Sequence, residues 1–300
     1  MKIIKICLIA ILILMTINPK NVFAFSAPPD IKATVGFVYI INNNKMVPQG
    51  TGFFIGVLNP ENKNIGTPYF VTAKHVLQTS DRKNWLPDFF LRMNKKDGIA
   101  EYIRIPIITE GEQKTVYTHT DLNVDLAIMP ILINRDIFEY NFLFDSMLTT
   151  QKDFKDLKIR EGTEIFFTGL FAPYTGYEKI YPIVRFGRVA LITEEQIEIE
   201  KGVKMNVYLI DTGSFGGNSG SPVFFQLGLD SEHNTLIISP TVIKIAGVMS
   251  GTYKDLQPLK VFETSETSLA PSSMGIAFVT PAYKLHQVLF GEELTKKRGY

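Results

Sequence analysis

The segment richest in chemistry is Thr212-Gly-Ser-Phe-Gly-Gly-Asn-Ser-Gly-Ser-Pro-Val-Phe224, which holds a serine between glycines just before an apolar run. Glycines accept backbone conformations that a Cβ forbids, so successive N–H groups can converge on one point. A carbonyl attacked by the Ser219 hydroxyl develops negative charge at its oxygen, and converging N–H groups stabilise that charge. The donors would be Gly217 and Ser219, with Asn218 between them. The plainer reading of the same residues is a glycine-rich hairpin loop. A hydroxyl attacks poorly until a base takes its proton, and histidine titrates closest to neutral pH. Tyr69-Phe-Val-Thr-Ala-Lys-His-Val76 sets His75 directly after an apolar strand, a place that suits a base but equally a structural histidine. Asn123-Val-Asp-Leu-Ala-Ile-Met-Pro130 puts Asp125 at the opening of another apolar run. A carboxylate there is costly to bury unless it accepts hydrogen bonds, and holding an imidazole in one tautomer would supply them. Otherwise Asp125 is a strand-start cap facing water. Asp121, four residues earlier, is the competing partner.

The elements around these residues read as short strands. Thr34–Ile41 is rich in β-branched and aromatic residues and ends at the turn cluster Asn42-Asn43-Asn44. Gly50–Val57 and Tyr69–Thr72 follow, and further apolar runs recur between Gly, Pro and Asn/Asp clusters as far as Gly275–Val279. That spacing predicts a sandwich or barrel and argues against alternating βαβ units. One helix is expected, starting at Pro281 with Leu285, Val288 and Leu289 on one face and ending before Gly291. The irregular, charged stretch Asn134–Glu161 divides the strands into two similar sets. The sequence therefore predicts an all-β protein of two six-stranded antiparallel barrels, over 33–134 and 155–290, the second ending in that helix. Gln78–Arg104 and Asn134–Glu161 exceed what simple hairpins need, so they are expected to border a cleft or decorate the surface.

Composition narrows the function. Of 300 residues, 45% are hydrophobic and 20% charged, which suits a globular chain. Residues 1–24 combine Lys2 and Lys5, the apolar run Ile6–Ile17, a break at Asn18-Pro19 and the small-residue end Val22-Phe23-Ala24. This is the layout of a signal peptide for export to the periplasm or medium, with no stable membrane span left after cleavage. Apart from the three lysines of that leader, 28 basic residues face 30 acidic ones, so no nucleic-acid footprint is present. Cys7 is the only cysteine and lies in the leader, which excludes disulfides and thiol chemistry from the mature chain. Four dispersed histidines without HExxH point to no metal site and no cofactor.

Jointly the three segments follow the order His, Asp, Ser, and on Gly50-Thr-Gly-Phe-Phe-Ile, Val71-Thr-Ala-Lys-His-Val, Val124-Asp-Leu-Ala-Ile and Gly216-Gly-Asn-Ser-Gly-Ser-Pro-Val the chain resembles trypsin-like (chymotrypsin-fold) serine proteases of the disulfide-free bacterial type. The resemblance spans about residues 33–290. It implies a His75–Asp125–Ser219 triad, an oxyanion hole at Gly217, Asn218 and Ser219, and an endopeptidase acting on protein or peptide substrates. It also implies substrate contacts at Gly213, Ser214, Met249, Ser250, Gly251 and Gly275. No acid stands where Gly213 aligns, so the expected preference is for a small or uncharged residue before the scissile bond. Asn218 occupies the place of an aspartate that pairs with a freshly cut N-terminus in digestive relatives, so activation by that ion pair is not expected. Lys74, where the family has a small or neutral residue, is expected to point to solvent. Two other functions stay open: an inactive binding protein and an acyl esterase on the same scaffold.

Overall fold

The computed structural model describes residues 26–109, 115–200, 202–213, 216–232, 235–260 and 267–300, with side chains outside 200, 229–232, 235–241, 254–260 and 267–273. The leader and Ser214 fall outside the described residues.

The chain opens with β1 (Val35–Asn42) and β2 (Lys45–Leu58), joined by the two-residue turn Asn43-Asn44, both at positive φ. Asparagine tolerates that conformation, and such a turn matches the right-handed twist of the strands it joins. β3 (Gly66–Thr72) pairs with β2, and a 3₁₀ turn, Lys74–Leu77, follows it at once. β4 (Asp88–Asn94) and β5 (Ala100–Pro106) form a hairpin on the far side of β1, and β6 (Ala127–Pro130) pairs with β3. The antiparallel path is β5-β4-β1-β2-β3-β6, with the two-residue β7 (Leu143–Phe144) alongside β2 as a seventh strand. Gln78–Arg104 is thus not a cleft border or decoration throughout: much of it completes this sheet, with Phe89, Leu91 and Met93 buried.

After α1 (Gln151–Asp156), started by a Thr150/Asp153 capping box, the second unit begins. It consists of β8 (Glu164–Gly169), β9 (Ile183–Leu191), the small hairpin β10 (Ile197–Glu200) and β11 (Val203–Met205), β12 (Tyr208–Asp211), β13 (Pro222–Glu232), β14 (Thr235–Lys260) and β15 (Thr267–Pro281). Six of these close into a barrel in the order β12-β15-β14-β13-β8-β9. The expected helix is α2 (Ala282–Leu289), after Pro281. A further helix, α3 (Glu292–Arg298), was not expected from the sequence. Its acids lie in the first turn, its cations in the last, and Gly299 ends it in the left-handed conformation.

β2 explains how the units join. From Gly50 to Val57 every residue is buried, so both faces of the strand are covered. Phe54 packs into the interior of the first sheet with Phe70 and Phe89, while Phe53, Ile55 and Val57 join Phe166, Phe224, Leu285 and Leu289 on its other face. That second cluster is a seam between the sheet, the outer wall of the barrel and α2. The barrel interior is separate and holds Phe167, Phe225, Tyr208 and Met249. Within it the Tyr208 hydroxyl is buried and meets no partner among the described residues. Burying a hydroxyl without a hydrogen bond costs stability. Tyr208→Phe is therefore expected to stabilise the fold by about 1 kcal/mol, read from urea unfolding midpoints; a lower midpoint would mean that the hydroxyl has a partner.

Candidate active site

His75 lies in the 3₁₀ turn after β3, where the chain leaves the sheet and the imidazole is partly exposed. Asp125 lies two residues before β6, between the buried Val124 and Leu126. Because β3 and β6 are neighbours, the two residues meet at the same end of the sheet. One oxygen of Asp125 accepts the His75 backbone N–H at 2.9 Å and the other faces Nδ1 at 2.7 Å. An ionised carboxylate only accepts, so Nδ1 carries a hydrogen, and in the neutral imidazole this tautomer puts the lone pair on Nε2. Burial pushes the Asp125 carboxyl up, but the charge and hydrogen bonds of His75, with Lys74 nearby, outweigh this and hold it below the usual carboxylate range.

Asp121 has other work. Its carboxylate accepts the Asn123 N–H at 2.9 Å and the Asn206 side-chain amide at 2.7 Å, which shapes the turn leading to Asp125. Lys74 sends its ammonium to the Leu122 carbonyl at 2.8 Å, tying the histidine turn to the same loop.

Ser219 arrives from the barrel, on the loop between β12 and β13. Gly217 and Gly220 both take positive φ (94° and 85°), conformations that favour glycine, so the loop bends sharply on either side of Asn218-Ser219. Thr51 of β2 grips this bend: its N–H donates to the Ser219 carbonyl at 2.8 Å and its hydroxyl to the Gly217 carbonyl at 2.9 Å. The same hydroxyl accepts the Leu170 N–H at 2.9 Å, and the Thr51 carbonyl accepts the Thr72 hydroxyl at 2.6 Å. A Cβ on Gly220 would sit 2.0 Å from the Thr51 carbonyl oxygen, so only glycine lets the loop approach this closely. Gly50 relates this loop to the histidine turn. A Cβ placed there would lie 2.9 Å from both the Ser219 carbonyl oxygen and the methyls of Val76, the residue after His75. The serine and histidine segments thus flank one backbone point. No hydrogen bond joins His75 to Ser219 among the described residues.

The proposed oxyanion donors, the N–H groups of Gly217 and Ser219, meet no acceptor among the described residues. The Asn218 side chain points elsewhere, donating to the Leu170 carbonyl at 2.6 Å, and so tethers the loop. Met249 is buried in β14, and both its peptide groups hold the same loop, accepting from Gly220 at 2.7 Å and donating to Ser221 at 2.9 Å. Ser250 is buried, with its hydroxyl on Thr280 at 2.7 Å. Gly251 pairs opposite Phe278, Gly275 accepts the Thr212 N–H at 2.9 Å, and the Gly213 carbonyl accepts from Arg185 at 2.6 Å. Reading the sequence missed Thr51, Thr72, Leu170 and Arg185. The one local signal was a buried threonine inside the run Gly50–Val57.

No protein-family model matches the chain, and no curated protein sequence matches it. Similar solved structures include catalytically inactive tobacco etch virus protease complexed with substrate, at 11% identity and TM-score 0.44, covering 90% of this chain and 88% of that one. Deg5 is similar at 18% identity and TM-score 0.39, covering 70% and 85%. An inactive serine-to-alanine mutant of Rv3671c from M. tuberculosis H37Rv is similar at 15% and 0.41, covering 93% and 98%.

Two outcomes are expected from this geometry. Thr51→Val, which keeps shape but loses the hydroxyl, should cost about 1–3 kcal/mol in chemical unfolding, and Thr51→Ser should recover most of it; equal stability of all three would dismiss the hydroxyl grip. A carboxyl held below its unfolded pKa stabilises fully above that unfolded value, about 3.9, and loses its contribution as pH falls through the lower folded value. Wild type should therefore lose stability more steeply than Asp125→Asn on acidification below about pH 4, and parallel curves would contradict an ionised Asp125.

Proposed function

We propose that this chain is an exported serine endopeptidase. The observation that carries the reading is the His75–Asp125 pair, bonded at 2.7 Å, at the sheet end against which Thr51 pins the Ser219 loop. In the proposed cycle, the Ser219 hydroxyl oxygen attacks the peptide carbonyl carbon while His75 Nε2 takes its proton. Asp125 keeps Nδ1 protonated and stabilises the imidazolium that forms. The carbonyl oxygen becomes an oxyanion at the N–H groups of Gly217 and Ser219. The C–N bond then breaks, His75 hands the proton to the leaving amine, and an acyl ester remains on Ser219. Water then attacks the ester carbonyl as His75 takes its proton, the C–O bond to Ser219 breaks, the acid product leaves, and His75 returns the proton to the Ser219 oxygen. Export is proposed from the leader, and peptides or proteins as substrates from the resemblance.

A second reading, a binding protein on the same scaffold, draws on the lack of a hydrogen bond between His75 and Ser219. Such contacts are often long in unliganded enzymes and tighten in the substrate complex, so the missing bond does not count against the first reading. Casein hydrolysis and labelling by a fluorophosphonate probe decide between them. Wild type is expected to cleave and to be labelled at Ser219, Ser219→Ala to do neither while staying folded, and Asp125→Asn to lose about 10⁴-fold in turnover. Casein cleavage by Ser219→Ala near the wild-type rate would end the proposal. Labelling with ester but not peptide hydrolysis would make the protein an esterase.

A further inference from the structure

Asp125 is carried by a loop and not by a strand. Tyr117 and Ile128 pair through both peptide groups, at 2.8 and 2.9 Å, and close that loop. Val124 and Leu126, on either side of Asp125, are buried in the seam, whereas Thr120, Leu122 and Asn123 are exposed. Apolar burial thus holds the flank, and hydrogen bonds hold the turn over Asp121–Val124 itself. The Val124 N–H donates to the Asp121 carbonyl at 3.1 Å, the Leu122 carbonyl accepts from Lys74, and the Asp121 carboxylate takes Asn123 and Asn206. The remaining group, the Asp121 N–H, donates to Nδ1 of His119 at 2.9 Å. Because Nδ1 accepts, the neutral imidazole of His119 carries its hydrogen on Nε2, and Nε2 faces the side-chain oxygen of Gln287 on α2 at 2.8 Å. α2 is a firm reference: Ala282, Leu285 and Leu289 are buried in the seam with Phe53 of the sheet and Phe166 and Phe224 of the barrel, and Gln287 is exposed. The contact lies on the wall of an open groove of about 720 Å³ between Tyr117–Thr120 and α2. Cutting it empties no core, so its effect is on geometry more than on stability.

We propose that His119 is a positioning residue: it ties the turn before Asp125 to α2 and so keeps the Asp125 carboxylate aimed at Nδ1 of His75. It touches neither substrate nor reacting atoms. When the tie is cut, the carboxylate holds Nδ1–H less firmly and part of the His75 population takes the other neutral tautomer. There Nε2 already carries a hydrogen, and such a molecule has no base for the Ser219 proton. The kinetic consequence rests on the proposed endopeptidase activity; the tautomer does not.

The test uses the mature chain in mildly alkaline buffer, with casein hydrolysis counted per site labelled by the fluorophosphonate probe. Imidazole tautomers are read by nitrogen NMR on protein made with isotope-labelled histidine. Wild type is expected to hold the hydrogen on Nδ1 in His75 and on Nε2 in His119. Gln287→Ala and His119→Asn both cut the tie to α2, although the asparagine still accepts the Asp121 N–H two residues on. Each should lower kcat about threefold to tenfold at unchanged KM and shift His75 toward its other tautomer, with circular dichroism and the urea midpoint near wild type. Gln287→Glu, which keeps an acceptor oxygen at the same reach, should retain both readouts, and Lys284→Ala on the same groove wall should change neither. A merely structural bond would lower the midpoint but leave kcat per labelled site and the His75 tautomer as in wild type. That result would overturn the inference, as would a wild-type His119 with its hydrogen on Nδ1, and either would leave the endopeptidase standing. If wild type cleaves no casein, the endopeptidase reading falls and the His75 tautomer in Gln287→Ala decides the inference alone. The wild-type tautomer of His119 decides even if a variant fails to fold.

Discussion

The site depends on Thr51. Its amide and hydroxyl bond across the seam, to the Ser219 loop and to Leu170, while its carbonyl accepts from Thr72 within the sheet, on the strand that ends at the histidine turn. A residue in a buried strand must satisfy its polar groups inside the protein. Here that requirement aligns two units. If the barrel slid along β2, it would leave buried donors and acceptors unpaired, each at a cost of about 1–3 kcal/mol. The apolar seam of Phe53, Ile55, Phe166 and Phe224 supplies non-directional attraction, and Thr51 supplies the register.

Close approach is the second constraint, and glycine meets it. Gly220 lets the Ser219 loop rest on the Thr51 carbonyl, and Gly169 leaves room for the Ser221 hydroxyl, which would lie 2.0 Å from a Cβ there. The sharp bend leaves the Gly217 and Ser219 N–H groups on the loop while Asn218 and Met249 fasten its sides. Charge is handled as economically: one buried carboxylate is held by one imidazole and one peptide N–H, with Lys74 tied to the loop beside it.

Much of this was legible in the residues. The Asn43-Asn44 turn, the buried run of β2 and the helix after Pro281 follow from turn chemistry and periodicity. Of the β4–β5 hairpin, β5 overlaps the apolar run Tyr102–Ile108, but β4 did not stand out, because Asp88–Asn94 carries polar residues at both ends and its buried Arg92 reads as a surface residue. That arginine donates to the carbonyls of Gly176 and Tyr177 in a loop of the second unit, contacts no local pattern announces. α3 was hidden for a similar reason: its single buried residue, Leu294, makes no periodic stripe.

By itself the sequence determined the residue types able to do acyl chemistry, the glycines that permit a tight loop and the alternation that demands sheets. The apolar run directly after Asp125 already favoured it over Asp121; only the tertiary structure decided that its carboxylate meets Nδ1 of His75, that Thr51 grips the serine loop, and that Arg185 stands beside Gly213. The first contact spans 50 residues and the second up to 166. Strand register and the packing of one unit on another bring such residues together, and neither is written in the spacing of neighbours along the chain.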